Sequence, residues 1–339
     1  MKNNARSLKS IDIVIPWVDP SDPVWQADKS RYMADAGRQE DTREIRFRDW
    51  DNLQYVFRSI EKYAPWVRKV HFLTYGHIPA WMNTDCPKLH IVRHEEFIPK
   101  EYLPVFSSHV IELNMHRIEG LSEQFIYFND DIFLLKPVRP SDFFKKGLPC
   151  DCLEANLIEP SLTNFTPIVF NTVGIINQHF NKRELLRRHP GLWFNPVYSF
   201  KTMLRSFLFL PWPGYTGFRN HHLAVPYRKS TLETVWKEEP EVLMETCSHR
   251  FRDNSDVNQY IFRFWQLASG KFSPRKPLGR YFKITGQSGP VVDYIKKQKG
   301  SMVCINDEEF DDFIKVRDEI NAALDQLLPD RSEYEIEQN

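Results

Sequence analysis

The strongest chemical signal in the sequence is the pair Asp130-Asp131, set inside Phe125-Ile-Tyr-Phe-Asn-Asp-Asp-Ile-Phe-Leu-Leu135. Two adjacent carboxylates after an apolar strand suit a hard divalent cation that also touches substrate phosphates. On its own the dipeptide reads equally well as a solvated turn. The apolar residues on both sides place the acids inside the fold, where unpaired carboxylates are costly and a cation or an Arg partner is expected. Glu112, flanked by Ile111 and Leu113, has a deep position open to it, although a solvent-facing helix acid is the commoner case. His221-His222 follows Gly214-Tyr-Thr-Gly-Phe-Arg-Asn220 and precedes Leu-Ala-Val-Pro226. A loop histidine is a candidate base because its ordinary pKa lies near neutrality, and a surface or capping role is the plainer alternative. Arg250 and Arg252, in Ser248-His-Arg-Phe-Arg-Asp-Asn-Ser-Asp256, precede a predicted helix, where cations and free N–H groups can hold phosphate. The alternative there is an Asp or Ser that simply caps. Gly-rich phosphate loops, Gly-x-Ser-x-Gly elbows and His-Glu-x-x-His motifs are absent from the sequence.

The elements that must position these groups alternate between strand and helix. Ile11-Asp-Ile-Val-Ile-Pro-Trp-Val18 reads as a buried strand, ended by Asp19-Pro-Ser-Asp-Pro23. Leu53, Val56, Phe57 and Ile60 recur at helical spacing, with Asp49 or Asp51 as N-cap. Residues 69–75 and 89–93 are further strands, 107–117 a helix, and 125–135 one strand that continues apolar beyond its acids. Such alternation argues for a largely parallel sheet with ligands at the carboxyl ends of its strands. Asp19 and Asp130-Asp131 both fall at such ends. Residues 140–220 are less regular, with a basic helical piece at 183–188. The stretch 200–212 is either a buried helix with two snorkelling cations or a basic, aromatic element on a membrane surface. The last third reads as helical, with helices over 256–267 and 307–328.

Composition narrows the function classes. Across 339 residues, 45 Lys+Arg balance 45 Asp+Glu, which argues against a dedicated nucleic-acid binder with its basic excess. The length fits about two units, or one large α/β domain with insertions. No signal peptide is evident, and no stretch approaches the roughly 18–20 apolar residues needed to cross a bilayer. Cys86, Cys150, Cys152, Cys247 and Cys304 are scattered. Cys150-Asp-Cys152 lacks a second Cys/His pair at zinc-site spacing, so reduced thiols in a cytoplasmic protein are expected.

Four ordered blocks resemble the Stealth family, which includes bacterial capsular polysaccharide phosphotransferases and the lysosomal-targeting N-acetylglucosamine-1-phosphotransferase. The first is Ile11-Asp-Ile-Val-Ile-Pro-Trp-Val-Asp-Pro-Ser-Asp-Pro23, with Pro16 and Pro20 where Thr and Gly are common. The second and most specific runs through Arg46 to Asp49, Leu53, Arg58-Ser-Ile-Glu-Lys-Tyr-Ala-Pro-Trp66, Gly76-His-Ile-Pro-Ala-Trp81, Phe106-Ser-Ser108, Glu112, His116-Arg-Ile-Glu-Gly-Leu-Ser122 and Phe125 to Asp131. The third covers His222 through Pro226-Tyr-Arg-Lys229 and on to Arg250-Phe-Arg-Asp-Asn-Ser-Asp256. The fourth is Cys304-Ile-Asn-Asp307, Ala322-Ala-Leu and Pro329-Asp-Arg-Ser-Glu-Tyr-Glu335.

The resemblance implies an α/β fold: a glycosyltransferase-A-like nucleotide-sugar-binding sheet flanked by helices, with a more helical C-terminal part. Residues 1–140 would bind nucleotide sugar and metal. Residues 141–220 would form a variable insertion for acceptor or membrane contact, and 221–339 would complete the active site. The implied reaction moves hexose-1-phosphate or N-acetylhexosamine-1-phosphate from a UDP-sugar to a glycan hydroxyl and releases UMP, in capsular or cell-surface polysaccharide biosynthesis. By similarity the functional positions are Glu112, Asp131, His222 and Arg252. A divalent cation, Mg²⁺ or Mn²⁺, on Asp131 with Asp130, together with Arg252, would neutralise phosphoryl charge. His222 would take the acceptor proton, with a phospho-His222 step as the second route, and Glu112 would orient the sugar or complete the metal shell. His222, unlike His221, lies at the family's spacing ahead of Arg252. The donor is placed near Trp17 and Asp19, with Arg46, Arg48 and Arg250 as phosphate or structural partners. The acceptor is a glycan or lipid-linked oligosaccharide, met by a cytoplasmic protein in peripheral contact with the inner face of the membrane, and no nucleic acid is involved. A metal-dependent glycosyltransferase releasing UDP and a non-catalytic glycan-binding protein are the competing readings.

Overall fold

Strand-forming runs of β-branched and aromatic residues make the centre of the protein. Its computed structural model describes residues 10–36, 49–159, 161, 165–308 and 310–337. Ile11–Pro16 (β1), Val70–Thr74 (β2), Leu89–Arg93 (β3) and Gln124–Tyr127 (β4) lie parallel, and Val225–Arg228 (β8) closes one edge antiparallel to β4. The order is β3-β2-β1-β4-β8. β2 and β4 are buried along their whole length, as strands covered on both faces must be, whereas edge strand β3 buries only Leu89 and Val92. The chain runs outward from β1 to β2 and β3, then returns to β4 on the other side of β1. The crevice at the carboxyl ends of β1 and β4 is therefore a topological switch point, the usual ligand site of such sheets.

Alternation along β1 divides the core. Ile11, Ile13 and Ile15 face one side with Phe57, Ile60 and Phe72, while Val14 faces the other with Val110, Leu113 and Phe125. The first side is covered by the helix Leu53–Tyr63 and by a second sheet of Ile132–Leu134 (β5), Gly279–Ile284 (β10) and Met302–Asp307 (β11), backed by the helix Phe313–Leu327. The other side packs on the helices Ser108–Asn114, Lys229–Glu238 and Tyr260–Ala268. A small third sheet joins Phe144–Lys145 (β6), Leu148–Asp151 (β7) and Ser273–Pro274 (β9).

Several expectations are corrected. The run 125–135 is two strands in two sheets, because Asn129-Asp130-Asp131 turns the chain out of the first ladder, with Ile132 N–H donating to Asn129 O at 3.3 Å. The helix N-cap is Asn52, not Asp49 or Asp51; Asp51 sits at φ +51°, with Asp49 Oδ1 accepting from its N–H. The turn after β1 continues into a helix, Pro23–Ala36, started by Asp22, whose Oδ1 accepts from Trp25 N–H at 2.7 Å. The last third is not simply helical. It supplies β8, β10 and β11, and its final helix starts at Phe313 because Met302–Asp307 pairs with β10 and β5 instead.

Two motif residues far apart in sequence hold the C-terminus in place. Arg58 donates bidentately to Glu335 at 2.9 and 2.7 Å and a third time to Leu328 O. At the opposite end of β1 from the crevice, buried Asp12 accepts from Arg68, His71 and Ser122 N–H. Burial alone would raise that carboxyl; the hydrogen bonds outweigh it and bring it down to about 2.

Candidate active site

The strand register brings the segments carrying Trp17, Asp130-Asp131 and His222 to one edge. Val14, Tyr127 and Val225 form one row across β1, β4 and β8. Because β8 is antiparallel, the residues before it share an edge with the residues after β1 and β4. Trp17 follows β1, Asp130-Asp131 follow β4 and His222 precedes β8, so the segments carrying them leave the sheet at this edge.

At this edge Asp130 is exposed and Asp131 half-buried, so the acids are not enclosed as the flanking apolar runs implied. The turn lifts them to the rim of the sheet. Asp131 Oδ2 accepts from Cys304 Sγ at 3.3 Å and Asn306 Nδ2 at 3.5 Å, and its carbonyl accepts from Ile305 N–H, so β11 backs it. Burial and the Asp131 charge keep Cys304 a thiol, available as donor. Desolvation by the surrounding chain and then the neighbouring Asp131 charge push Asp130 up to about 7, although the residue itself stands exposed. Crowded carboxylate oxygens of this kind fit a hard divalent cation such as Mg²⁺ or Mn²⁺.

Glu112 is buried, not solvent-facing. Its helix packs on the β4 face, where Glu112 accepts from Tyr127 Oη at 3.0 Å and Gln259 N–H at 3.2 Å. Burial and the Glu112 charge drive the Tyr127 hydroxyl far up, keeping it a donor. Tyr260 is raised by burial and by Glu112, with smaller contributions from Cys304 and Asp131, so its hydroxyl lies within reach of both acids' fields. One turn before Glu112, Ser108 Oγ accepts from Arg252 Nη2 at 2.8 Å, which brings Arg252 to the same helix.

The helix expected from residue 256 begins at Tyr260. Asp256 is spent before it, accepting from His109 Nδ1 (2.8 Å), His249 Nδ1 (2.7 Å) and Asp253 N–H (3.0 Å), which fixes the loop carrying Arg252. The N–H of Gln259, just ahead of this helix, donates to Glu112 and is therefore not free. Arg250 packs its guanidinium over the Tyr32 ring at 4.7 Å, beside the stacked pair Phe106–Phe251. Asp19 Oδ1 accepts from Ser21 N–H and Oγ, and the Asp19 N–H donates to His77 Nε2 at 2.7 Å. Trp17 stacks on Phe72 at 5.5 Å and is half-buried. Arg46 and Arg48 lie outside the described residues.

The two adjacent histidines part company. His222 has φ +48°, a left-handed conformation that costs a non-glycine residue energy, and its exposed ring stacks on Tyr281 at 4.7 Å. Desolvation by the loop and the Arg263 charge lower its pKa. His221 turns inward, its Nε2 3.9 Å from Glu154 Oε2, and burial, then Arg263, lower it to about 4. Cys152, Glu154 and His221 place their ligand atoms within 4.8 Å of one another, a grouping from separate segments that spacing could not reveal. Glu154 is already held by Arg219 (2.8 Å), Arg205 (3.4 Å) and Thr202 (3.1 Å). Burial and the charges of Asp151 and Glu154 push the Cys152 thiol up to about 12, so this group is poorly suited to Mg²⁺.

Sequence reading missed Arg263. It lies in the buried run Tyr260-Ile-Phe-Arg-Phe-Trp265, donates bidentately to Asp151 at 2.7 and 3.0 Å, and reaches Arg219 O at 3.1 Å. An Arg inside an apolar helix was the available signal, since a buried guanidinium needs a paired carboxylate.

Known proteins resemble this chain along nearly its whole length. The family models Stealth protein CR1, conserved region 1, and Stealth protein CR2, conserved region 2, match residues 9–37 and 46–150. Over 330 residues the chain is 38% identical to the capsular polysaccharide phosphotransferase WcwK of Streptococcus pneumoniae, covering 97% of this chain and 99% of that one. The chain belongs to the Stealth family. Two further relatives are each 39% identical. The receptor polysaccharide phosphotransferase WefC of Streptococcus oralis covers 97% of this chain and 100% of its own. The exopolysaccharide phosphotransferase cps2G of Lactiplantibacillus plantarum covers 96% of each. Stealth membership at this coverage makes the protein a phosphotransferase. Among solved structures, the galactosyltransferase LgtC in complex with donor and acceptor sugar analogs aligns over 95% of this chain and 98% of its own, at 10% identity and a TM-score of 0.38. Among the described residues, no helix is long and apolar enough to cross a membrane.

Proposed function

We propose that this Stealth protein transfers hexose-1-phosphate or N-acetylhexosamine-1-phosphate from a UDP-sugar to a glycan hydroxyl and releases UMP, in capsular or cell-surface polysaccharide biosynthesis. The observation that carries this reading is the strand order and direction that bring the segments bearing Trp17, Asp130-Asp131 and His222 to the same switch-point edge. Full-length relatives named polysaccharide phosphotransferases support the reaction class.

Asp131 and Asp130 would hold the divalent cation, which when bound neutralises charge on the phosphoryl oxygens. Arg252, steadied by Ser108, presents its guanidinium to the same developing charge. The acceptor oxygen attacks the phosphorus bearing the sugar, the bond to UMP oxygen breaks, and the acceptor proton passes to His222. The lowered pKa of His222 keeps it neutral near pH 7, as a base must be. Glu112, with its two donors, holds the β4 end and the start of the Tyr260–Ala268 helix in a fixed relation beneath the site. The donor base lies against the loop of Trp17 and Asp19, with Arg250 beside it.

The helix Phe200–Leu208 supports contact with a lipid-linked acceptor at the cytoplasmic face of the membrane. It buries only Thr202 and Ser206 and exposes Phe200, Leu204, Phe207 and Leu208, with Lys201 beside them, so the buried-helix alternative does not hold. The deciding experiment incubates purified protein with a panel of UDP-sugars, a divalent cation and glycan acceptors. UMP as the released nucleotide is expected, and UDP would assign an ordinary glycosyltransferase instead.

A further inference from the structure

Beyond β8, on the side away from β4, a small pocket opens whose lining includes the charged or polar side chains of Asp151, His221, Arg263, Arg275 and Lys276. Arg275 is anchored by its own N–H, which donates to Asp151 O at 2.8 Å, and its guanidinium lies over the Phe143 ring at 5.7 Å. Its Nε and Nη1 are sealed from solvent and have no hydrogen-bond partner among the described residues, and the same holds for His221 Nε2. The nearby carboxylates are committed elsewhere: Asp151 to Arg263, Glu154 to Arg205 and Arg219, and Asp142 to the N–H of Arg139. The lining itself carries three cations (Arg263, Arg275 and Lys276) and one carboxylate, Asp151. Leaving a buried guanidinium without an acceptor is costly, and an anion with several oxygens would remove that cost. The planar fork of Arg matches phosphate oxygens, and the neutral His221 ring can donate through Nε2. The same charge excess opposes a cation on Cys152, Glu154 and His221.

Sheet order separates this pocket from the donor end. Asp130-Asp131 follow β4, and the pocket lies on the far side of edge strand β8, past His222. We propose that Arg275, with Lys276 and His221, forms a subsite for a phosphate group carried by the acceptor, either a phosphodiester of glycan already built or a pyrophosphate joining that glycan to lipid. The word acceptor rests on the reaction proposed above; the anion site itself does not.

Calorimetric titration of the whole protein in EDTA tests it without turnover, using inorganic pyrophosphate and dimethyl phosphate as probes. Binding of at least one probe is expected, weakened at least tenfold in Arg275→Gln and within several-fold of the parent in Asp131→Asn and Arg252→Gln. Preference for dimethyl phosphate assigns the glycan phosphodiester; preference for pyrophosphate assigns the lipid linkage. Circular dichroism checks folding, and if Arg275→Gln is unfolded, Arg275→Lys, which keeps charge but loses the fork, is expected to bind several-fold more weakly than the parent. No binding of either probe, undiminished binding in the folded Arg275 variants, or loss of binding in Asp131→Asn or Arg252→Gln would overturn the subsite. These outcomes are independent of which nucleotide the enzyme releases.

Discussion

The Tyr127 hydroxyl donates to Glu112 Oε1 at 3.0 Å and so joins the last residue of β4 to the helix Ser108–Asn114. The second oxygen of the same carboxylate accepts from Gln259 N–H, just ahead of the helix Tyr260–Ala268. One buried charge thus ties together three elements that border the crevice. Tyr127→Phe removes a donor from that carboxylate and is expected to cost about 1–3 kcal/mol of stability, with a lower kcat. Urea unfolding and kinetics of this variant check both, and an unchanged unfolding midpoint would show that the bond contributes nothing.

Asp131→Asn preserves shape and removes charge from the proposed cation site. A fall in turnover of about 10²-fold or more is expected, on the scale of losing one strong electrostatic contact, with the unfolding midpoint little changed. Excess chelator should abolish activity of the parent. Full activity in EDTA would eliminate the metal assignment.

His222→Ala should lose about 10²–10⁴ in kcat, the usual contribution of a general base. His221→Ala should lose far less kcat than His222→Ala, because its ring faces Glu154 and not the β4 edge, and its part in the acceptor subsite should show in the acceptor KM instead. The base works only when neutral, so activity falls on the acid side. The lowered pKa of His222 puts that limb below the ordinary histidine value near 6.5. Equal losses in the two variants would remove His222 from this role.

Vesicles containing anionic lipid should float with the parent protein. The double change Phe200→Ser and Phe207→Ser is expected to reduce that binding strongly, since both side chains are exposed on one helix and nothing in the core loses contact. Equal flotation of parent and variant would place the membrane contact elsewhere or nowhere.

Stability should decline in mild acid through buried histidines. Burial, and secondarily His77, lower His94 to about 3, and burial with Arg117 lowers His116 to about 4. The unfolded chain takes up these protons near pH 6.5 while the folded chain refuses them. Stability is therefore complete above about 6.5 and falls with pH toward the folded values, by about 1.4 kcal/mol per unit for each residue. Between pH 7 and pH 5, His94→Phe should shrink the measured decline by about 2 kcal/mol. A decline as steep as the parent's would count against His94 as a source.

Local pattern determined a good deal on its own. The strand Leu89–Arg93 is where the β-branched run and its flanks place it, and the helix Leu53–Tyr63 follows from Leu53, Val56, Phe57 and Ile60 recurring on one face, because burial of a single stripe is a property of neighbouring residues. The family was legible from motif order, and with it came the expectation placed on Glu112, Asp131, His222 and Arg252. What the tertiary structure decided is every contact whose energy depends on register. Nothing in Phe125 to Leu135 says that its halves join different sheets; that follows from β11 offering Ile132 a partner. The depth of Glu112 depends on Tyr127 and Gln259 arriving beside it, and the divergence of His221 and His222 depends on a left-handed backbone at His222. The Arg263–Asp151 and Arg58–Glu335 pairs close across distances along the chain at which no periodicity carries information. Apolar spacing records which face is buried; charge pairing is settled only when the folded sheet chooses each strand's neighbour.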